Sequence, residues 1–462
     1  MPKKKTALTI EERLQQALVP AEEQPYEVPE NWVWVRLGSL LKEIKNGTTI
    51  KQDKSGNGFS VTRIESLQNQ TIDLMRVGTI LETEKIKETD WYKSGDITLS
   101  HINSIEHVGK TALITDAMLP LVHGMNLLRL RFFEIYTPDL FQLYSQTYQY
   151  KNEIRSRINM AVNQVSINQK QLSSLEIPLP PLSEQQRIVE RIEELFAKLD
   201  EAKERLQEAA ESFAVRKAAI LHKAFTGELT KQWHRENGVR DESWEEKKFD
   251  DCIEKMQNGL SKRKGDEGNN IGVLRLANLG EDDLVLDDLR YILLTEKEEK
   301  NYLLSKDDVI MIRVNGSKDN VARQIVINTD EKLAFCDHII RIKYNPNIVA
   351  RYVMYFSKTN AYRKYVEDNM VSSAGQNTIS RKGLASLVIP LPSIEEQHEI
   401  VRLIDDLLER ERSAQQAAEQ ALASIDLMKK SILARAFRGE LGTNKASEAS
   451  ALELLKQVLA EN

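Results

Sequence analysis

One feature limits what this chain of 462 residues can fold into: its sequence repeats at a constant offset. The stretch Ile-Pro-Leu-Pro at 177–180 returns at 389–392, an offset of 212, and Ala-Phe-Thr-Gly-Glu-Leu at 224–229 returns at 436–441 with one substitution. The same offset joins Glu184-Gln185 to Glu396-Gln397, Asn46-Gly47 to Asn258-Gly259, Asp96 to Asp308 and Arg129 to Arg341. The chain is therefore two copies of one unit, and two similar halves tend to pack about a pseudo-twofold axis.

Composition excludes several classes of protein. Charged residues make up 29% of the chain and hydrophobic residues 41%. No apolar run reaches the length of roughly 18 residues that a membrane helix needs, which predicts a soluble protein. The basic residues 1–5 precede no signal-type apolar stretch, so the expected compartment is the cytoplasm. The two cysteines, Cys252 and Cys336, are far apart and match no zinc or redox spacing, so we predict no metal site.

Each repeat consists of a mixed segment followed by a long helical segment. Short β-type runs at 61–64, 127–132 and 339–344 and helical stretches at 140–157 and 348–366 predict α+β domains. Pro138 and Pro346 stand where these helices could begin. The predicted boundaries are an N-terminal extension at 1–28, α+β domains at 29–180 and 231–392, spacer helices at 181–230 and 393–442, and a tail helix at 443–462.

The two helical segments carry the heptad spacing of a coiled coil. Apolar residues recur at alternating steps of four and three, and no Gly or Pro interrupts 183–226, so this helix could reach roughly 65 Å. Ser183 and Ser393 are predicted N-caps, and Gly227 and Gly439 are predicted C-caps. We expect the two helices to pair antiparallel and to space the two domains. The predicted seam residues are Ile188, Ile192, Leu195, Leu199, Leu206 and Phe213, then Ile400, Ile404, Leu407, Ile425 and Ile432; Ala414, Ala418, Ala421 and Met428 fit the same register, and Glu411 does not.

These features resemble the specificity subunit of type I restriction-modification systems. The resemblance rests on the segment Glu-Val-Pro-Glu-Asn-Trp at 27–32, the two Ile-Pro-Leu-Pro strips followed by Glu-Gln and a long helix, and the two Ala-Phe-x-Gly-Glu-Leu endings. It implies two target-recognition domains, each reading half of a bipartite, asymmetric site in double-stranded DNA, and an antiparallel coil that sets the unread spacer. It further implies docking of two methyltransferase subunits, with added motor-nuclease subunits making the restriction complex.

The sequence predicts that this chain is not itself the enzyme. An amino-methyltransferase needs an Asn/Asp-Pro-Pro-aromatic tetrad, and the nearest match, Asn-Pro-Asn-Ile at 345–348, lacks the second proline and the aromatic residue. Catalysis is therefore assigned to the partner methyltransferase, where S-adenosylmethionine is expected, and no cofactor is expected in this chain.

Candidate DNA-contact residues lie in polar loops and at strand ends. Arg and Lys neutralise phosphate, whereas Arg with guanine and Asn or Gln with adenine are favoured base contacts. In the first repeat the candidates are Lys51, Lys54, Asn57, Arg63, His101, Asn103 and Gln164. In the second they are Lys262, Arg263, Lys264, Asn269, Arg275, Arg313, Asn315, Lys318, Gln376 and Asn377, with His338 as a weaker choice.

Structural roles remain open for each of these residues. The lysine-bearing loops could simply be solvated, Arg313 and Asn315 could form a salt bridge or a turn, and Arg63 and Arg275 could pair with buried carboxylates. The segments 164–168 and 376–380 are similar in both halves, which favours a shared task such as phosphate clamping or partner docking. A scaffold that spaces two protein-binding domains without touching DNA is the alternative function, and the net charge of −6 is compatible with it.

Overall fold

The computed structural model describes residues 9–53, 57–161, 164–240 and 244–461. The chain divides into two compact units, residues 1–205 with 421–462, and residues 206–420. Each unit contains one mixed domain and a part of each long helix, so the predicted α+β class is confirmed. The helices are α1 Ile10–Ala17, α2 Pro138–Tyr144, α3 Tyr148–Arg157, α4 Gln169–Ser173, α5 Leu182–Phe225, α6 Lys231–Asn237, α7 Glu296–Tyr302, α8 Ala350–Phe356, α9 Asn360–Asn369, α10 Arg381–Leu384, α11 Ile394–Ala436 and α12 Ala451–Glu461.

The strands repeat in nearly the same order in both domains. In the first domain they are β1 Val33–Arg36, β2 Leu41–Asn46, β3 Phe59–Val61, β4 Leu67–Gln68, β5 Thr71–Ile72, β6 Gly78–Ile80, β7 Ile97–Ser100, β8 Ile102–Asn103, β9 Thr111–Leu113, β10 Leu127–Phe132, β11 Asn159–Ala161, β12 Gln164–Ser166 and β13 Glu176–Leu179. In the second they are β14 Glu245–Lys248, β15 Ile253–Asn258, β16 Asn269–Leu274, β17 Arg290–Leu294, β18 Val309–Ile312, β19 Val314–Asn315, β20 Gln324–Val326, β21 Leu333–Phe335, β22 Ile339–Tyr344, β23 Val371–Ser373, β24 Gln376–Thr378 and β25 Val388–Leu391.

The duplication extends to the register of strand pairing. A four-stranded antiparallel sheet has the order β2-β10-β7-β9 in the first domain and β15-β22-β18-β20 in the second. Leu128 lies opposite Asn46 in the first sheet, and Ile340 lies opposite Asn258 in the second, so the offset of the sequence repeat is kept in the pairing. The repeated glycine next to each asparagine has a steric reason, because a Cβ on Gly47 or Gly259 would lie 1.8 or 2.1 Å from a carbonyl oxygen of the neighbouring chain segment.

Helix starts and ends follow the sequence signals only in part. Gly227 and Gly439 end α5 and α11 with φ of +76° and +74°, a conformation that glycine adopts without a Cβ clash, so both predicted C-caps are confirmed. Ser393 caps α11 by accepting from the Glu396 amide at 3.3 Å. The prediction for Ser183 was wrong, because α5 already begins at Leu182 and the Pro181 carbonyl accepts from the Glu184 amide at 2.9 Å.

Each predicted helix of the domains is in fact two helices. The stretch 140–157 breaks between α2 and α3, where the Thr147 hydroxyl caps the Tyr150 amide at 3.1 Å and donates to the Tyr144 carbonyl at 2.7 Å. Thr359 does the same between α8 and α9 in the second domain. Pro138 occupies the first turn of α2 as predicted, whereas Pro346 precedes a turn and α8 begins only at Ala350.

The repeated Glu-Gln pair anchors each long helix to its domain. The Gln185 side chain is fully buried; it donates to the carbonyls of Ile135 and Pro180 at 2.8 and 3.0 Å and accepts from the Thr137 amide at 2.9 Å. Gln397 repeats this pattern with Asn347, Pro392 and Val349. Buried polar atoms are costly without hydrogen bonds, so these matched bonds explain why the motif occurs in both halves.

The neighbouring glutamates are also buried but have different partners. Glu184 accepts from the Trp32 indole at 2.7 Å and from the Thr443 hydroxyl at 3.1 Å. Glu396 accepts from the Thr230 hydroxyl at 2.7 Å and lies 2.6 Å from His234 Nε2. In both units, therefore, a threonine that follows the Gly-Glu-Leu ending donates a hydrogen bond to the glutamate at the start of a long helix.

The predicted apolar stripe lies along both long helices. In the first unit Asp200 of α5 lies 2.6 Å from Lys429 of α11, and the earlier Ile192 shares a buried cluster with the later Leu433. In the second unit Arg216 lies 2.8 Å from Glu411, and the later Leu221 shares a buried cluster with the earlier Ile404. The helices therefore run antiparallel inside each unit. Glu411, the one charged residue in the predicted seam, thus forms an ion pair with Arg216 of the other helix. Ile188, Ile192, Phe213, Ile400, Ile404 and Ile425 are buried, and Leu195, Leu199, Leu206, Leu407 and Ile432 are partly buried.

The predicted seam was wrong at two positions of α11. Ala414 and Met428 are exposed, while the adjacent Gln415 and Lys429 are partly covered. Lys429 places its ammonium 5.0 Å from the centre of the Phe196 ring, so its alkyl stem takes the place expected for the methionine. The heptad prediction counted only apolar residues and therefore missed this lysine.

The two ends of the chain meet in the first unit. The tail is helical from Ala451 to Glu461, a shorter stretch than the predicted 443–462, and α12 packs against α1, with Ala17, Leu455 and Val458 in one buried cluster. Arg13 donates to the Leu459 carbonyl at 3.2 Å, and Arg187 forms an ion pair with Glu448 at 2.8 Å. The apolar stripe of the tail is thus covered within the chain itself.

Candidate DNA interface

A small antiparallel sheet in each domain brings together candidate segments that are far apart in sequence. In the first domain β8 pairs with β12, and Asn103 lies opposite Val165 beside Gln164. In the second domain β19 pairs with β24, and Asn315 lies opposite Asn377. A hairpin partner, β11 or β23, completes each sheet. The side chains of Gln164 and Gln376 are exposed on these strands.

Several asparagines of these sheets hold the turns in shape. Asn315 accepts from the Ser317 amide at 2.9 Å, and Asn103 accepts from the Ser104 amide at 2.8 Å. Asn377 is only 7% exposed and donates to the Gly316 carbonyl at 2.9 Å. These bonds favour a positioning role for Asn377, while Asn103 and Asn315 remain at least partly accessible.

The first domain has a polar pocket next to its small sheet. The His101 carbonyl accepts from the Ile167 amide at 2.9 Å, which fixes the histidine beside the start of α4. Burial lowers the pKa of His101, so its ring is neutral at neutral pH. The pocket is lined by Asn46, His101, Leu128, Asn168, Gln169 and Lys170. Asn46, Gln169 and Lys170 were not among the sequence candidates, although Gln169 and Lys170 directly follow a segment that was.

The second domain has a basic pocket, lined by Arg263, Lys264, Arg275, Leu276, Ala277, Arg290, Cys336 and His338. Three sequence candidates, Arg263, Lys264 and Arg275, meet here although the strand β16 lies between the last two in the chain. Arg290 and His338 add further basic groups. Arg313 lies nearby, because its amide donates to the His338 carbonyl at 2.8 Å. The basic pocket and the small sheet thus adjoin.

Acidic neighbours already engage many of the candidate cations. Arg63 lies 2.7 Å from Glu65, and its equivalent Arg275 lies 2.8 Å from Asp288. Lys262 pairs with Glu298 at 3.0 Å, and Asn269 donates to Glu299 at 2.6 Å, so both contact α7. Lys318 lies 3.9 Å from Glu367 at the surface. Lys51 and Asn57 are exposed, and Lys54 lies outside the described residues.

One group of possible metal ligands lies at the rim of the basic pocket. Cys336, Asp337 and His338 place three ligand atoms within 4.8 Å of one another. The Asp337 carboxylate lies 3.2 Å from Arg263, and burial raises the pKa of the Cys336 thiol. These properties favour a structural role that orients Arg263.

Comparison with known proteins agrees with a duplicated DNA-specificity architecture. The model of the type I restriction modification DNA specificity domain matches residues 29–211 and again residues 241–421. The chain belongs to this family of type I restriction-modification specificity subunits.

Two relatives illustrate a similarity that extends over almost the whole chain. The StySPI specificity subunit of Salmonella potsdam is 30% identical over 455 residues, covering 94% of this chain and 96% of the relative. The EcoKI specificity subunit of Escherichia coli K12 is 26% identical and covers the same shares. The crystal structure of the HsdS subunit from Thermoanaerobacter tengcongensis has a TM-score of 0.65 at 19% identity, covering 90% of this chain and 99% of that one, and thus shares the fold. A search of the described helices finds none with the length and apolar character that a membrane span requires.

Proposed function

We propose that this chain is the non-catalytic, DNA-reading subunit of a type I restriction-modification complex, and that each domain reads one half of a split, asymmetric site. The observation that carries this proposal is the small sheet that unites Asn103 with Gln164 in one domain and Asn315 with Gln376 in the other. The two domains share a frame, which consists of the four-stranded sheet and the strand pair β1-β13 or β14-β25. The polar groups around the small sheets differ between the domains. Two different surfaces on one repeated frame suit two different half-sites.

The proposed partners are double-stranded DNA and two methyltransferase subunits. The features shared by both halves, namely the long helices and the Gly-Glu-Leu endings, are the candidates for docking two copies of one partner. S-adenosylmethionine would be bound by the methyltransferase, and motor-nuclease subunits would add restriction.

The most direct test is adenine methylation across the genome of a host that carries this gene and its partner methyltransferase. A matched host would lack only this chain. We expect methylation at one split, asymmetric motif that disappears with the deletion. No difference, with the methyltransferase shown to be expressed and active, would favour the alternative of a scaffold that never touches DNA.

We further propose that the helix pair sets the unread spacer. In support, α5 and α11 are 44 and 43 residues long and are cross-linked by ion pairs within each unit. Removing one heptad from both helices, between Ala202 and Ala209 and between Ala414 and Ala421, should keep both half-sites but change the spacer or abolish methylation. An unchanged spacer would contradict this role.

A further inference from the structure

The cations of the basic pocket differ in how many of their donors remain free. Arg263 lies 3.2 Å from Asp337, and Arg275 donates to the Asp288 carbonyl at 2.6 Å and to its carboxylate at 2.8 Å. Among the residues that the structure describes, the side chains of Arg290 and Lys264 make neither a hydrogen bond nor an ion pair. The donors of these two residues are therefore available to a ligand.

Arg290 stands on a rigid part of the domain. It is the first residue of β17 and lies opposite Val273 of β16. The following residues Ile292 and Leu294 are buried in the same cluster as Val273 and Leu274. A guanidinium whose backbone is fixed by a packed sheet can meet the strict geometry of a base contact better than one on a loop.

The side chains of Arg290 and Lys264 suit different groups of DNA. A guanidinium presents a planar fork of donors, which matches the O6 and N7 acceptors of guanine in the major groove. The ammonium of Lys264 is a point charge on a flexible stem and suits a phosphate. Arg263 and Arg275 are paired with Asp337 and Asp288, which offset their charges and occupy donors of each guanidinium.

We propose that Arg290 is a specificity-determining residue that reads a guanine in the half-site of the second domain. This inference rests on the proposed function, because it presumes that the second domain reads DNA. It assigns a base contact to a residue in the basic pocket that the sequence did not single out.

The test replaces Arg290 in the full chain and maps methylated sites in a host that also expresses the partner methyltransferase. For Arg290→Ala we expect one guanine of one half-site to become degenerate, with discrimination at that position falling about 5- to 150-fold. The other half-site and the spacer should not change. Arg290→Gln should shift the preference at that position toward adenine, because a Gln amide pairs with adenine N6 and N7.

Two further variants separate base reading from charge. Arg290→Lys keeps the positive charge but loses the planar fork, and its ammonium can still donate to O6 or N7, so it should relax the same position less than Arg290→Ala does. Arg235→Ala removes an exposed arginine from α6, in the same unit, and should leave the motif unchanged.

Two results would overturn the inference. They are an unchanged motif in Arg290→Ala and Arg290→Gln, and a uniform loss of methylation with the motif intact, the second of which indicates a phosphate contact. A wild-type chain that directs no methylation would instead refute the proposed function itself, so the two failures are distinguishable.

Discussion

The two domains are alike where they build the frame and unlike where polar groups gather. The four-stranded sheets share their order and register, and so do the strand pairs β1-β13 and β14-β25. Between these shared strands the first domain has the two-stranded sheets β3-β6 and β4-β5, whereas the second has the three-stranded sheet β17-β16-β21. The segment of the second domain that differs in fold lies between the shared strands β15 and β22. This segment also supplies Arg290 and most of the basic pocket. A repeated frame thus holds two different polar surfaces.

Each frame contains a buried aspartate that pairs with arginine at the same position of the repeat. The two aspartates differ in how many arginine contacts they make. Asp96 is 1% exposed and accepts two bonds from Arg131 at 2.7 Å, with Arg129 at 3.9 Å. Its equivalent Asp308 is 7% exposed and lies 3.7 Å from Arg341. The position of Arg131 is occupied by Lys343 in the second domain, so the first domain has the denser network.

The largest expected difference between the domains follows from this network. Asp96→Ala should destabilise the first domain by about 3–5 kcal/mol, because it removes both bonds of Arg131 to a buried carboxylate and leaves Arg129 and Arg131 to share Glu43. Asp308→Ala should cost the second domain about 1–3 kcal/mol, since it mainly removes the bond to the Ser305 amide. Hydrogen exchange of β10 and β22 under increasing urea would measure both. Equal losses would contradict the asymmetry.

The next comparison concerns base reading on the small sheets. Combined Arg313→Ala and Asn315→Ala should relax one half-site, and His101→Ala with Asn103→Ala should relax the other, each losing about 1–3 kcal/mol of discrimination per base contact. Mapping methylated motifs for both double variants would check this. If both variants relax the same half-site, the two domains do not read separate halves.

The smallest expected difference, within the mildly acidic range of pH, is one of pH dependence. His123 of the first domain is buried where the second domain has Phe335, and burial, together with nearby Arg129, lowers the pKa of His123 to about 3. A histidine pKa below the unfolded value of about 6.5 means that its contribution is fully present above that unfolded value and is lost as pH falls toward the folded one. The loss is about 1.4 kcal/mol per pH unit.

The replacement His123→Phe should remove this dependence from the first domain. The measurement is hydrogen exchange of β10 at a series of pH values from neutral to mildly acidic, for the variant and the wild type. The same slope in both proteins would show that His123 does not carry the effect.

Local patterns in the sequence were sufficient for much of the frame. The constant offset of the repeat predicted the two domains, and the heptad spacing predicted the long helices, because both can be read directly from the order of residues along the chain. The breaks at Thr147 and Thr359 were missed, since the apolar pattern continues across them while the threonine hydroxyl ends one helix and starts the next.

The candidate site could be predicted only in pieces. Polar residues at strand ends pointed to His101, Asn103, Arg313 and Asn315, and the segments at 164–168 and 376–380 were separate candidates. That strand pairing brings the two sets together was not predicted. Arg290 was missed because its place in the basic pocket depends on the pairing of β17 with the earlier strand β16, which no local pattern records. Likewise, the acidic partners of Lys262 and Asn269 become visible only when α7 packs beside them.

The measurement that tests the central claim most directly is the methylation motif of a chimera in which residues 245–391 are replaced by residues 33–179. These segments begin and end at equivalent strand pairs, Val33 with Leu179 and Glu245 with Leu391. If each domain reads its own half, the chimera should direct methylation to two inverted copies of the half-site read by the first domain. Retention of the original asymmetric motif would contradict the account.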